Sequence, residues 1–432
     1  MDPSDGRFEE LSRGIKVRNI ADDITAGFIV AAVAIPLSMG FAIASGLRPE
    51  QGIIGGAIAG LFGAIFGGSK YNQYGPTAAF IPAIAGIMSI YDQGFLVLVS
   101  LIAGFMLLLS GYLRVGRIFE KIPHSIVVGF TVGIAFTIAL SQIGHVLGFK
   151  EKIGYSFIDQ LSYLYRNISK ISFPAILMTA FTILFCRAFE KISGMIPGPV
   201  PALVFGYFGA KTFWSGTGLV LIGDEYGNIL ANLIAFTPPF LSESWSLKLY
   251  LDLLYYSFTI FTIAAVESML CGRAADRLTF NSGFLFSPNR ELRGVGIINI
   301  FAPLFNGFPN AAALGRTALS IRVKGTSPLV GIAKSCFKIL IAVFFASYLE
   351  NIPIACIGGI LWYVAWGMVK RNEIKRIVHL NNYHAFLMYY SMAAVVLFGF
   401  MIGILSAVIL YGICYRLYEK KKHPVTMKEA EE

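Results

Sequence analysis

An all-α protein that crosses a membrane many times is what this chain predicts, on three observations. Its 432 residues are 56% hydrophobic and only 14% charged, against about 25% charged in an ordinary soluble domain. Long apolar runs such as "ITAGFIVAAVAIPLSMGFAIA" (24–44) and "AFLMYYSMAAVVLFGFMIGILSAVILYGICY" (385–415) match or exceed the ~20 residues that cross a bilayer as helix. Forty-five glycines lie largely inside such runs, where small residues let helices approach closely in a solvent that supplies no hydrophobic force to join them.

The opening residues, "MDPSDGRFEELSRGIKVRNIADD" (1–23), are polar and charged, so no cleavable signal peptide is expected ahead of the first span. Hydropathy then places candidate spans near 24–44, 52–67, 76–91, 94–112, 124–142, 174–190, 199–210, 251–272, 294–306, 309–321, 327–348, 353–369, 384–398 and 400–416. Fourteen is even, which puts both termini on one side. Lysine and arginine test that count: four precede the first span and twenty-one follow even-numbered spans, against seven after odd-numbered ones. The remaining three, Arg316, Lys334 and Lys338, lie within spans. This is the positive-inside pattern with both termini cytoplasmic. The net charge of +10 is thereby assigned to cytoplasmic loops, and no nucleic-acid partner is expected. The chain divides into a cytoplasmic segment (1–23), a first set of seven spans (24–210), an extracytoplasmic connection (211–250), a second set of seven (251–418) and a charged cytoplasmic tail (419–432). The five cysteines are scattered and no two histidines stand at ligand spacing, so neither a disulfide framework nor a metal or other cofactor is expected.

Seven being odd, the two halves insert with opposite orientation. The third span of each opens on an interrupted stretch, "YNQYGPTAAFIPA" (71–83) and "FNGFPNAAALGRTAL" (305–319). Paired broken segments at matching places in inverted halves mark a transporter's binding site; the alternative is ordinary proline kinks, which membrane helices tolerate. A half-helix starting inside the membrane leaves N–H groups unpaired at the positive end of its dipole, and an anion is the natural occupant. Arg316 sharpens this. Its charge is permanent, costs roughly 3 kcal/mol at mid-membrane and, near a helix start, is opposed by the dipole as well. An anion held there explains both positive sources, and the guanidinium fork suits a carboxylate, bicarbonate or sulfate oxygen pair. The alternatives are a permanent pair with Glu267, or snorkelling to the surface beside Arg322.

Glu267 lies in "TIFTIAAVESMLCGRAADR" (259–277) among apolar and small neighbours. A carboxylate between apolar surroundings and a nearby arginine is poised to exchange a proton, which proton coupling requires. Cys271, one turn later, falls on the same face and is a candidate cavity-lining residue, with plain core packing as the alternative. Phe41 follows Pro36 and can offer a ring edge to an anion, again with packing as the alternative. No role is assigned to His124, His145, His379, His384 or His423, and "NIS" (167–169) would matter only in a secretory pathway. No nucleophile and base pair stands in the spans, so an enzyme is not expected.

With these residues in view, the chain resembles the sulfate permease family, also called the SulP or solute carrier 26 family, and its bacterial members most. The likeness is carried by "ADDITAGFIVAAVAIPLSMGFAIASGLRPEQGIIGGAIAGLFGAIFGGSKYNQYGPTAAF" in the first half. In the second it is carried by "AAVESMLCGRAADR", "NRELRGVGIINIFAPLFNGFPNAAALGRTALSIRVKG" and "TSPLVGI". The resemblance implies a seven-plus-seven inverted repeat of fourteen spans in a homodimer. A core domain (spans 1–4 and 8–11) would move against a gate domain (spans 5–7 and 12–14), with half-helices at spans 3 and 10 holding the anion between their ends. Phe41, Thr77, Ala78, Gly315 and Arg316 fall where the family contacts substrate, and Glu267 where it places a coupling acid. Three departures stand out. Position 315 is glycine where many members carry a hydroxyl. Glu267 is the longer acid where sodium-coupled bicarbonate members have aspartate, which favours protons over sodium. Most members continue into a STAS domain, whereas this sequence stops after "YRLYEKKKHPVTMKEAEE", as expected either of a naturally short member lacking that domain or of a truncated one.

The function expected is secondary transport of a small anion, sulfate, bicarbonate or a dicarboxylate, in a bacterial inner membrane, by elevator-like alternating access coupled to H+ through Glu267. Alternatives are an uncoupled channel or exchanger, a Na+-coupled bicarbonate transporter, and, by fold analogy, a nucleobase transporter, which the motifs disfavour.

Overall fold

The computed structural model describes residues 17–116, 123–149, 157–192, 197–240, 246–280 and 286–418. The N-terminal segment through residue 16, the tail at 419–432 and parts of the two long connections (150–156 and 241–245) lie outside the described residues.

Helices occupy nearly every place where hydropathy sets a span. They are α1 (Val17–Ala44), α2 (Pro49–Phe66), α3 (Ile81–Ile90), α4 (Gln93–Tyr112), α5 (His124–Ser141), α6 (Ile143–Leu147), α7 (Phe157–Arg166), α8 (Phe173–Ile192), α9 (Pro199–Lys211) and α10 (Ile222–Tyr226). After a second long connection come α11 (Leu247–Leu278), α12 (Pro288–Leu304), α13 (Leu314–Arg322), α14 (Leu329–Glu350), α15 (Ile354–Met368), α16 (Arg371–Leu380), α17 (Asn382–Phe398) and α18 (Phe400–Tyr418). Among the described residues, seven helices are long and apolar enough to cross a membrane. Large apolar side chains such as Phe105, Leu184, Phe344 and Leu397 stand exposed on the outside of the bundle, where a lipid-facing surface carries them at no cost.

The two expected segments at 76–91 and 309–321 are not continuous helices. Tyr74–Gly75 (β1) and Ala311–Ala312 (β2) are extended and pair antiparallel, with Tyr74 opposite Ala312 and Gly75 opposite Ala311. For β1 a cause is local: Pro76 biases Gly75 before it toward extended backbone. In a chain with no water to satisfy it, freed backbone must find protein partners. Here each broken segment satisfies the other, and the Ala313 N–H adds a bond to the Gln73 carbonyl at 3.0 Å. A 3-10 turn (Ala78–Phe80) then leads into α3, while α13 starts directly after β2.

Close packing holds this crossing in place. α2 packs against α1, α12 and α14, and α4 lies along α12. Asn299 of α12 grips the second broken segment, donating to the Asn310 carbonyl and accepting from the Asn310 N–H, each at 2.9 Å. Asp23 of α1 accepts from Thr326 and Ser327, joining the start of α1 to the start of α14. A second group of helices gathers α5 against α17 and α8 against α15.

Outside the spans, Glu373 of α16 binds Lys370 at 2.9 Å and faces His124 of α5 at 3.6 Å. The His124 contact and then Lys370 hold its carboxyl down from 4.5 to about 2, against partial burial that pushes it up. A depressed carboxyl stabilises above its ordinary value and loses that contribution as pH falls from about 4.5 toward 2. Glu373→Gln is therefore expected to raise hydrogen exchange in α16 at pH 7, with the difference from wild type shrinking below pH 4; equal exchange at pH 7 would refute the tie.

Candidate functional site

The two broken segments meet at Arg316. Its side chain is 4% exposed, and its Nη2 donates to the Pro76 carbonyl at 2.8 Å. The guanidinium also lies against Gly75, where a Cβ would stand 2.8 Å from Nη1 and displace it. Thus a cation in the first turn of α13 is laid on the backbone just ahead of the other broken helix. Arg316 and Glu267 form no ion pair in this arrangement, and Arg316 does not snorkel to the surface.

Among the described residues, five buried polar atoms on the two broken segments have no partner: Nε of Arg316 and Oγ1 of Thr77, which can donate to an anion, and the amide oxygens of Asn72, Gln73 and Asn310, which cannot. Each such orphan costs about 1–3 kcal/mol, and one ligand oxygen or two would relieve the two donors. Beside them Gly315 is exposed, and a Cβ there would meet nothing within 4 Å. The start of α13 therefore has open space at Gly315, next in sequence to the buried Arg316.

α11 backs the crossing. Ser268 accepts from the Ala312 N–H at 3.1 Å, and Cys271 Sγ stands 3.1 Å from the Thr317 hydroxyl, which itself accepts from the Gln73 N–H at 2.9 Å. Glu267 precedes Ser268 and is half-buried. Cys271 is buried in the contact between α11 and α13, so its neighbour is a protein hydroxyl. The Arg316–Pro76 bond thus brings Gly315 and Arg316 to the residue before Thr77, while Phe41 and Ala78 are buried members of the main core cluster.

Three buried groups here were given no role from sequence. Glu291 of α12 accepts from the Gly68 N–H, the Tyr74 phenol and the Asn72 amide at 2.7, 2.7 and 2.9 Å. Lys334 donates to the Tyr74 carbonyl at 2.7 Å, and Lys338 to the Ser38 hydroxyl at 2.9 Å. For the lysines a signal existed: two cations four residues apart inside an apolar run.

Residues 20–391 match the sulfate permease family. The putative sulfate transporter YvdB of Bacillus subtilis is 33% identical over 431 residues, spanning 98% of this chain and 80% of the relative. The bicarbonate transporter BicA of Picosynechococcus sp. is 26% identical over 410 residues, 92% of this chain and 70% of that protein. Among solved structures, the transmembrane domain of a cyanobacterium bicarbonate transporter BicA superposes with TM-score 0.77 at 24% identity, over 91% of this chain and 98% of that one. The murine Solute Carrier 26 family member A9 anion transporter in the inward-facing state superposes with TM-score 0.78 at 14% identity, over 94% and 70% respectively. At these identities the structural likeness is one of fold.

Proposed function

This chain belongs to the sulfate permease family, one of membrane transporters and not of enzymes, and we propose that it carries a small anion across a bacterial inner membrane by elevator-like alternating access, with a proton moving alongside. One observation carries the reading: the buried Arg316 guanidinium bridges the two broken segments while its Nε and the Thr77 hydroxyl lack partners beside open space at Gly315.

In this reading the turn at Ala78–Phe80 with α3, and α13, are the half-helices of two inverted sets of seven spans. Their starts and Arg316 hold the anion, with Phe41 and Ala78 forming the wall behind. Spans 1–4 and 8–11 carry it against a gate of spans 5–7 and 12–14, in a homodimer with cytoplasmic termini. Glu267 competes as a carboxylate for Arg316; once protonated it leaves the cation to the substrate. Sulfate, bicarbonate and a dicarboxylate all fit two oxygens on a guanidinium fork.

Uptake of labelled sulfate, bicarbonate and fumarate into proteoliposomes tests the reading. Saturable uptake of at least one is expected. Linear, non-saturating anion currents without countertransport would replace the carrier by a channel, and uptake that depends on sodium would replace the proton.

The same geometry makes a further forecast. Because space at position 315 is open, Gly315→Ser is expected to fold normally and to add one donor to the anion, lowering the half-saturating concentration about threefold. Unchanged affinity would place the anion elsewhere.

A further inference from the structure

We propose that Lys334 is a positioning residue for the anion site: by holding the Tyr74 carbonyl it fixes the stretch Tyr74–Thr77 against Arg316. The inference rests on the reading of Arg316 and Thr77 as anion contacts.

Lys334 and Lys338 stand one turn apart on α14, each 1% exposed. Neither forms an ion pair with a carboxylate. Their partners are neutral: the Tyr74 carbonyl for Lys334, and the Ser38 hydroxyl and Gly52 carbonyl for Lys338. α2 is cut away to admit them. A Cβ at Gly60 would run into the Ser335 hydroxyl and lie 2.8 Å from the Lys334 stem, and one at Gly56 would run into the Lys338 amine. α1 closes the other side, with Gly27 against the Lys334 backbone.

What Lys334 holds gives its role. Tyr74 is fixed at three points: its phenol on Glu291, its ring in the slot left by Gly63, and its carbonyl on Lys334. Two residues later the Pro76 carbonyl accepts from Arg316, and the next residue is Thr77, whose hydroxyl lacks a partner. Two side chains thus grip alternate carbonyls of one short stretch, Lys334 from α14 on Tyr74 and Arg316 from α13 on Pro76. With the first grip gone, the second must follow a freer stretch. An apolar residue of the same length would fill this space with less desolvation, since buried ionic groups are commonly replaced by apolar ones at little cost in stability. The amine therefore contributes location more than stability.

The test compares wild type, Lys334→Met and Lys334→Gln, purified and in proteoliposomes, with sulfate, bicarbonate and fumarate as probes. Thermal stabilisation by each anion gives half-saturation, and labelled uptake gives KM and Vmax separately. Lys334→Met is expected to raise half-saturation and KM about tenfold, with Vmax within about twofold and the anion-free Tm within about 3 °C. Lys334→Gln, which keeps a neutral donor, is expected to recover part of the loss. Unchanged KM in Lys334→Met overturns the proposal, as does a fall in Tm and Vmax at constant KM, which is the mark of packing alone. If Lys334→Met does not fold, Lys334→Gln, which shortens the side chain and removes the amine, is judged by the same change in KM, and wild-type KM there overturns the proposal. If wild type responds to none of the three anions, and Arg316→Ala does not differ from it, the functional reading falls first and takes this proposal with it.

Discussion

Arg316→Ala is expected to raise the half-saturating anion concentration by about 100-fold or more, the loss of two charge-assisted hydrogen bonds, while the protein still folds. The second half of that expectation is the more telling. Removing a buried cation also removes its desolvation cost, which offsets the loss of its bond to the Pro76 carbonyl, and an unchanged anion-free Tm separates loss of binding from collapse of the bundle. On the proposed reading, what remains after truncation is the pair of helix starts, which would bind an oxyanion through N–H groups alone. Arg316→Lys sharpens the test. It keeps a positive charge but loses the planar fork, and the ammonium must choose between the Pro76 carbonyl and the anion. An intermediate loss of about tenfold is expected. Labelled uptake in proteoliposomes measures both variants, and wild-type KM in Arg316→Ala would remove the guanidinium from the site.

The legible part of this protein was whatever hydropathy and chain breakers control. Runs such as 94–112 and 174–190 became α4 and α8 within two residues at each end, because a span must close its own hydrogen bonds and little else decides its length. Pro76 and Pro309 marked the interrupted segments correctly, yet not that these would pair as β1 and β2. That pairing joins residues over 230 apart in sequence, and no local pattern encodes it. Arg316 stood out as a charge in an apolar setting, but its partner, the Pro76 carbonyl, is backbone and invisible to composition. Glu291 shows the reverse error. It sits in "NRELRG" beside cations and read as part of a cytoplasmic loop, whereas it is fully buried among Gly68, Asn72 and Tyr74. The α2 glycines were attributed to helix contact in general. Their particular use, clearing room for Lys334, Lys338 and Tyr74, depends on which residue of a distant helix arrives opposite each one.

Glu267→Gln is expected to leave anion uptake in place and to abolish the acidification that accompanies it. The argument follows from position. Glu267 lies on α11 directly before Ser268, whose hydroxyl holds β2, so it borders the crossing without being bonded to Arg316. An ionised carboxylate there competes with substrate for the guanidinium, and a protonated one does not. On the proposed coupling, inward movement of anion carries a proton, and a trapped dye inside proteoliposomes should report a fall in pH when sulfate or fumarate is added outside. Bicarbonate needs a protein-free control, because dissolved CO₂ acidifies by itself. Glutamine is locked in the uncharged form. It cannot release a proton on the far side, so uptake in the variant should lose its pH dependence and its acidification together, with KM changed by less than about threefold. The two losses are coupled by this mechanism, which makes the combination diagnostic. Labelled anion entering wild-type vesicles with no pH change would transfer coupling to sodium, exchange or a channel, and would leave Glu267 as a structural neighbour of Arg316.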